Sequence, residues 1–181
     1  MNFQALLSSE FAPYQVLSAT QLESLSTHYE LLLKWNKKLN LSRIGSLVEA
    51  VELHYCESLY LGLRLPPGNL RVVDVGSGPG FPGFPIGILR PECTLTLLEA
   101  DQRKAAFLRE ACHGLSNFRI VAERAEDHTE RYDWMVSRAV RSETVKGLKL
   151  APEGALLTSQ PSEIKIPWGD RRFIEMFHVE R

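Results

Sequence analysis

Only three of the 181 residues are cysteine, and Cys56, Cys93 and Cys112 show no paired spacing. That excludes a disulfide framework and a cysteine-ligated zinc site, and it points to free thiols in the cytoplasm. The five histidines are scattered without the spacing of metal ligands, so no metal is expected. No apolar run has membrane length and no signal peptide is recognised, so no membrane partner is expected. Charge of one sign is also missing, with 21 Lys and Arg against 22 Asp and Glu. A net charge of −1 gives no bulk attraction to nucleic acid, so any RNA contact must come from local basic patches. The 44% hydrophobic content suffices for one domain with a full core and a short appendage.

What the chain does have is a glycine-rich break in an apolar run, VVDVGSGPGFPG at residues 72–83. Gly76, Gly78 and Gly80 tolerate positive φ and let backbone approach a ligand, while the next segment can open a helix whose free N–H groups face it. Such a turn suits a nucleotide-like ligand. The dinucleotide fingerprint asks for G-x-G-x-x-G, and counting from Gly76 places Phe81 at its third glycine. The pattern is instead D-x-G-x-G-x-G, with Asp74 two residues before the first glycine. A carboxylate there can meet an ammonium group but serves a pyrophosphate poorly, which favours S-adenosylmethionine over a dinucleotide. Glu99, after the apolar stretch 94–98, has the spacing of a carboxylate gripping ribose hydroxyls and fits either ligand. A tight structural turn with no ligand remains the bland alternative.

The rest of the chain supplies a scaffold for that turn. Thr20 and Glu23 have capping-box spacing, and Leu22, Leu25, Tyr29, Leu32, Leu33 and Leu39 follow a helical stripe to about residue 41. A second box, Ser46 with Glu49, opens a helix with Val48, Val51, Tyr55 and Leu59 on its apolar face, and Pro66, Pro67 and Gly68 end it. Strands are predicted over 70–75, 94–98, 118–121 and 134–137, with helices over 84–89 and 102–113. This alternation predicts a mostly parallel sheet with helices on both faces and a ligand at the carboxyl ends of its strands. Residues 1–66 read as an N-terminal helical cap and 67–181 as a Rossmann-like core, with 164–166 and 173–179 as a closing antiparallel hairpin.

After the fourth strand come Ser137, Arg138 and Ala139. Neither an Asn-Pro-Pro-aromatic motif nor a Pro-Cys pair is present, so an exocyclic amine and covalent attack on a pyrimidine are both disfavoured as methyl targets. An arginine cannot act as a general base, yet its fork can hold a phosphate, a carboxylate or a base edge. That suits a nucleophile with no proton to lose, such as guanine N7, for which catalysis is mainly alignment. The residues alone leave open a purely structural pairing of Arg138 with a carboxylate.

Several motifs in one order then point to a family. KWNKKLNL at 34–41, His54 followed by Glu57 and Ser58, VVDVGSGPGFPGFP at 72–85, LLEADQRKAAFLRE at 97–110, ERAED at 123–127 and YDWMVSRAV at 132–140 together resemble the ribosomal RNA small subunit methyltransferase G family, also called glucose-inhibited division protein B. The resemblance implies a class I S-adenosylmethionine-dependent methyltransferase fold and methylation of guanine N7 in 16S ribosomal RNA, free or in a small-subunit assembly intermediate. By resemblance Gly76, Gly78 and Phe81 line the cofactor, Glu99 binds its ribose, Ala125 and Glu126 flank the adenine, and Arg138 borders cofactor and substrate. Arg103, Lys104 and Arg124 match basic positions used in catalysis or RNA binding: Arg124 joins Arg138 as catalytic, while Arg103 and Lys104 take the RNA.

Read from residues alone, Arg103 and Lys104 fit a solvated helix start equally well. Trp35 reads as a core anchor and His54 as a satisfied, partly buried histidine. The sequence departs from the family near its C-terminal end, where Gln160 and Pro161 stand in place of a lysine and a glycine and the following segment is shortened. That departure keeps two other readings in play: a member that binds cofactor or RNA without turnover, and an NAD-dependent oxidoreductase, which Phe81 and Asp74 disfavour.

Overall fold

Phe3, Leu7 and Phe11 recur at helical spacing, and in the computed structural model, which describes residues 1–180, they form the buried face of a first helix, α1 (Phe3–Phe11). The second helix, α2 (Ala19–Leu39), starts one box earlier than the sequence predicts. Ser18 accepts from the Gln21 N–H at 3.1 Å while Gln21 accepts from the Ser18 N–H at 2.9 Å. Thr20 and Glu23 have the same spacing but lie inside the helix. Buried Leu17, just before the cap, supplies the apolar anchor that selects Ser18. The helix ends at Asn40, which takes the left-handed conformation at φ 45°. Leu25 and Leu32 are fully buried, each contributing about 1.5–3 kcal/mol, whereas Leu33 lies outside the stripe and is exposed.

Ser46 caps α3 (Leu47–Ala50) by accepting from the Glu49 N–H at 3.1 Å, but the Glu49 carboxylate accepts from the Gly45 N–H at 3.2 Å, so only one half of the predicted box forms. The helix widens to π geometry over Val51–Cys56 and resumes as α4 (Glu57–Arg64). Val51, Tyr55 and Leu59 face inward with no exposed surface, but Val48 is half exposed, because the wider turn rotates the buried face away from it.

The remaining elements are β1 (Arg71–Val75), α5 (Gly83–Leu89), β2 (Thr94–Leu98), α6 (Gln102–Ala111), β3 (Phe118–Val121), β4 (Trp134–Arg138), α7 (Ser142–Leu148), β5 (Glu153–Thr158), β6 (Ile164–Lys165) and β7 (Phe173–His178); the predicted strands, helices and hairpin are present within one or two residues, while α7 and β5 are additional and no helix separates β3 from β4. They build one sheet in the order β3-β2-β1-β4-β5-β7-β6. The first five strands pair in parallel, and β7 and β6 close the edge antiparallel. Order reverses on either side of β1, so the carboxyl ends of β1, β2 and β4 meet at a topological switch point.

One sheet face packs under the helical cap, α5 and α6, where Leu25, Leu32, Tyr55 and Leu59 share a single core with Phe81, Phe84, Val136 and Ile174. The other face carries Val73, Val75, Met135 and Leu156 beneath α7 through Val145. No described helix is long and apolar enough to cross a membrane, and no group of three or more described His, Cys, Asp or Glu side chains is placed to hold a metal.

Candidate functional site

The glycine turn follows β1 at the switch point and is tied down from four sides. The Gly76 and Ser77 N–H groups both donate to the Leu98 carbonyl, at 2.9 and 3.1 Å, locking the turn to the end of β2. Gly78 N–H donates to Glu99 Oε2 at 2.8 Å, and Gly83 N–H donates to Asp74 Oδ2 at 2.8 Å. From the cap, His28 Nε2 lies 2.8 Å from the Pro79 carbonyl, which can only accept, so the ring carries its proton there. His28 Nδ1 then accepts from the Tyr55 hydroxyl at 2.6 Å. Gly76, Gly78 and Gly80 all take positive φ, as expected. At Gly80 a side chain would also meet Phe84 at 3.1 Å and His28 at 3.2 Å, because α2 presses directly on the turn.

Burial dominates the electrostatics. His28 is wholly buried, and desolvation pulls its pKa down to about 4 against an opposing bond to Pro79. Asp74, with no exposed surface, is pushed up to about 7 by burial, with bonds from Gly83 and Ser77 pulling the other way. Its Oδ1 is buried without a hydrogen-bond partner. Asp74 therefore supports the start of α5, and its carboxylate is directed under the turn, where an ammonium group is not met at the surface.

Beside the turn opens a cleft of about 380 Å³, lined among others by Gly76, Glu99, Arg124, Ala125, Glu126 and Val140, with Thr144 and Leu148 of α7 as its far wall. That volume lies within the range of small-molecule sites. Glu99 is nearly buried and uses Oε2 for Gly78 and Oε1 for the Asp101 N–H at 3.1 Å. Each carboxylate oxygen retains a second lone pair able to accept from a hydroxyl. The adenosyl part of S-adenosylmethionine therefore fits this donor and acceptor set: a carboxylate at the strand end, an open glycine backbone and apolar walls from Val75, Ala125 and Leu148.

Gly76, Glu99, Ala125 and Glu126 thus converge, but three other expected residues do not line the cleft. Gly78 is adjacent, with its N–H turned to Glu99. Phe81 is 2% exposed and sits in the core against His54, Tyr55 and His28, because an apolar ring gains more there than at a wet rim. Arg138 points toward the cap: Nη1 donates to His54 Nδ1 at 2.9 Å and to the Leu53 carbonyl at 3.2 Å, and its guanidinium lies 4.9 Å from the Phe81 ring centre. Its neighbour Ala139 is held left-handed at φ 62°, a strained conformation for a residue with a side chain. His54 is pulled down to about 3 by burial first and then by Arg138 and Arg172, so it serves as a neutral acceptor.

The basic residues sit where the helix and rim place them. Arg124 is exposed at the cleft rim, 3.6 Å from Glu126. Asp101 caps α6 by accepting from the Arg103 and Lys104 N–H groups, which leaves the Arg103 side chain largely in solvent. Sequence reading missed His28, whose only signal was a polar residue on an apolar helical face. It also missed the buried pair between Glu57 and Arg172, in which Arg172 Nε donates to Oε2 at 2.8 Å and Nη2 bonds Oε1. Glu57 has no exposed surface, and the pair joins the turn between β6 and β7 to α4.

Among solved structures, an S-adenosylmethionine-dependent methyltransferase from Aquifex aeolicus superposes with a TM-score of 0.50 at 15% identity, covering 62% of this chain and 69% of that one, which fixes the likeness of fold. Sequence relatives named ribosomal RNA small subunit methyltransferase G include one from Desulforamulus reducens, 38% identical over 68% of this chain and 55% of its own length. Others come from Psychrobacter cryohalolentis, 40% identical over 70% of this chain and 53% of its own, and Xanthomonas euvesicatoria, 37% identical over 79% and 70%. The chain spans about half the length of the first two of these relatives. A family model described as rRNA small subunit methyltransferase G matches residues 21–154, which takes in the cap from α2 onward, the glycine turn and the cleft but not α1, and the chain belongs to that family.

Proposed function

We propose that the protein transfers the methyl group of S-adenosylmethionine to N7 of a guanine in 16S ribosomal RNA, free or within a small-subunit assembly intermediate, in the cytoplasm. The observation that carries this reading is the convergence of Gly76, Glu99, Ala125 and Glu126 on one cleft at the switch point. The cofactor supplies an electrophilic methyl group. Glu99 would accept from its ribose, Ala125 and Glu126 would flank its adenine, and the backbone at Gly76 and Gly78 would leave room for the amino-acid end. Guanine N7 offers an in-plane lone pair and has no proton to lose, and the methyl group it would take leaves S-adenosylhomocysteine behind, so the chain need provide alignment and exclusion of water, with no base. Arg124 would place the guanine from the cleft rim and Arg138 from the cap side of the glycine turn, where His54 and the Leu53 carbonyl hold it, while Arg103 and Lys104 would hold RNA phosphates.

The test is methyl transfer to small-subunit RNA from a strain lacking the family enzyme, with mapping of N7-methylguanine. Incorporation at a guanine N7 is expected; incorporation at another atom sinks the assignment of target. Calorimetry with S-adenosylhomocysteine and NAD checks the cofactor, and binding of NAD alone overturns it. The turn of Arg138 toward His54 favours one other reading, binding of cofactor or RNA without turnover, which predicts affinity for S-adenosylhomocysteine and no incorporation.

A further inference from the structure

The C-terminal end of α2 carries a segment that the cofactor cleft does not use, KWNKKLNLSR at residues 34–43. It holds four cations and no acid in a chain whose net charge is −1. Lys34, Lys37, Lys38 and Arg43 are all exposed, and none makes an ion pair with another described residue, although Glu30 stands one turn before Lys34. Lys37 and Lys38 answer the negative end of the helix dipole. That account leaves Lys34 and the indole beside it unexplained.

Trp35 packs edge-on to Phe107, with ring centres 5.7 Å apart, and donates Nε1–H to Glu110 Oε2 at 2.9 Å. The ring is therefore fixed at two edges yet stays partly exposed, so the reading of Trp35 as a core anchor holds only for its inner edge. Its accessible part lines an apolar dent of about 300 Å³ with Leu39, flanked by Lys34 and Lys38. The dent is rigid for a second reason: Asn36 clamps the chain after the helix, donating to the Ser42 carbonyl at 2.7 Å and accepting from the Ser42 N–H at 2.9 Å. A pre-oriented indole between two cations one helical turn apart combines the parts of a single-strand site, an aromatic platform for a base and ammonium groups for its phosphates. An acidic peptide matches the lysines but has no use for the indole face.

We propose that this dent is a second RNA contact, in which an unpaired base stacks on Trp35 while Lys34 and Lys38 hold the flanking phosphates. The proposal rests on the reading of the protein as a ribosomal RNA methyltransferase, and it assigns to the helical cap a share of substrate binding separate from the rim at Arg103 and Lys104.

Fluorescence anisotropy with a labelled single strand of about 12 nucleotides, and with the same sequence as a duplex, provides the test. The wild-type protein is expected to favour the single strand. The Lys34→Gln, Lys38→Gln double variant should flatten the slope of log K against log salt by about 1.4, the share of two phosphates on a single strand. Trp35→Leu should weaken single-strand binding on the order of tenfold and Trp35→Phe much less. S-adenosylhomocysteine affinity, measured on each variant by calorimetry, should stay at the wild-type value and reports an intact fold. Wild-type RNA affinity and salt slope in the variants overturn the proposal while leaving the methyltransferase reading in place. So does capture of polyglutamate that the same variants abolish, if the single strand is not bound. Failure of the wild-type protein to bind S-adenosylhomocysteine or transfer methyl groups overturns the underlying reading instead.

Discussion

His28 joins the helical cap to the glycine turn as a neutral ring, so acid should unfasten them. With a pKa of about 4 in the folded chain and 6.5 when unfolded, its contribution is complete above pH 6.5 and is lost as pH falls toward 4. Between those limits the unfolded chain binds more protons, so stability drops with pH. The whole shift corresponds to about 3 kcal/mol, and about 2 kcal/mol of it is gone by pH 5. The wild-type curve alone does not isolate this effect. His54, pulled down to about 3, loses stability over the same interval, whereas Asp74, pushed up to about 7, gains stability as it protonates. A double difference separates them: unfolding free energies from urea titrations of wild type and His28→Gln, each at pH 7 and pH 5. The variant should be the less stable at pH 7, and the gap should shrink by about 2 kcal/mol at pH 5. A gap that stays constant refutes the neutral, buried assignment of His28.

Glu57→Gln leaves Arg172 without its carboxylate and should cost about 3 kcal/mol in the same urea assay, most of it recovered by Glu57→Leu with Arg172→Leu. Arg138→Ala should lower turnover on the order of a hundredfold with S-adenosylhomocysteine affinity nearly unchanged; loss of cofactor binding alone contradicts its assigned role. Gly78→Val forces a branched residue to φ 56° at a strain of about 1–2 kcal/mol, and calorimetry should show cofactor affinity lost. Wild-type affinity in that variant excludes the turn as the cofactor's seat.

Local features were legible in proportion to how local their physics is. The parallel strands and the positive-φ glycines were readable because apolar runs, turn residues and backbone freedom act within a few positions. The cap of α2 was misplaced by two residues, since Ser18 and Thr20 offer equal boxes and only the burial of Leu17 selects between them. The apolar stripe of α1 was readable but passed over. Side-chain direction was the larger gap. Phe81 and Arg138 stand at family positions, yet their orientation depends on His54 and Tyr55, which a motif read along the chain does not bring beside them. Glu57 and Arg172, 115 residues apart, gave no pairing signal at all.

That separation also sets an order of events during synthesis. At roughly 5–20 residues per second, the cation that neutralises Glu57, 115 residues later, follows it by about 6–23 s. Until then a carboxylate destined for full burial has to stay in water, and the face of α4 that carries it cannot be sealed. The helical cap, although translated before the hairpin, is therefore sealed only after it, and the later hairpin acts as the latch that closes an earlier-made element.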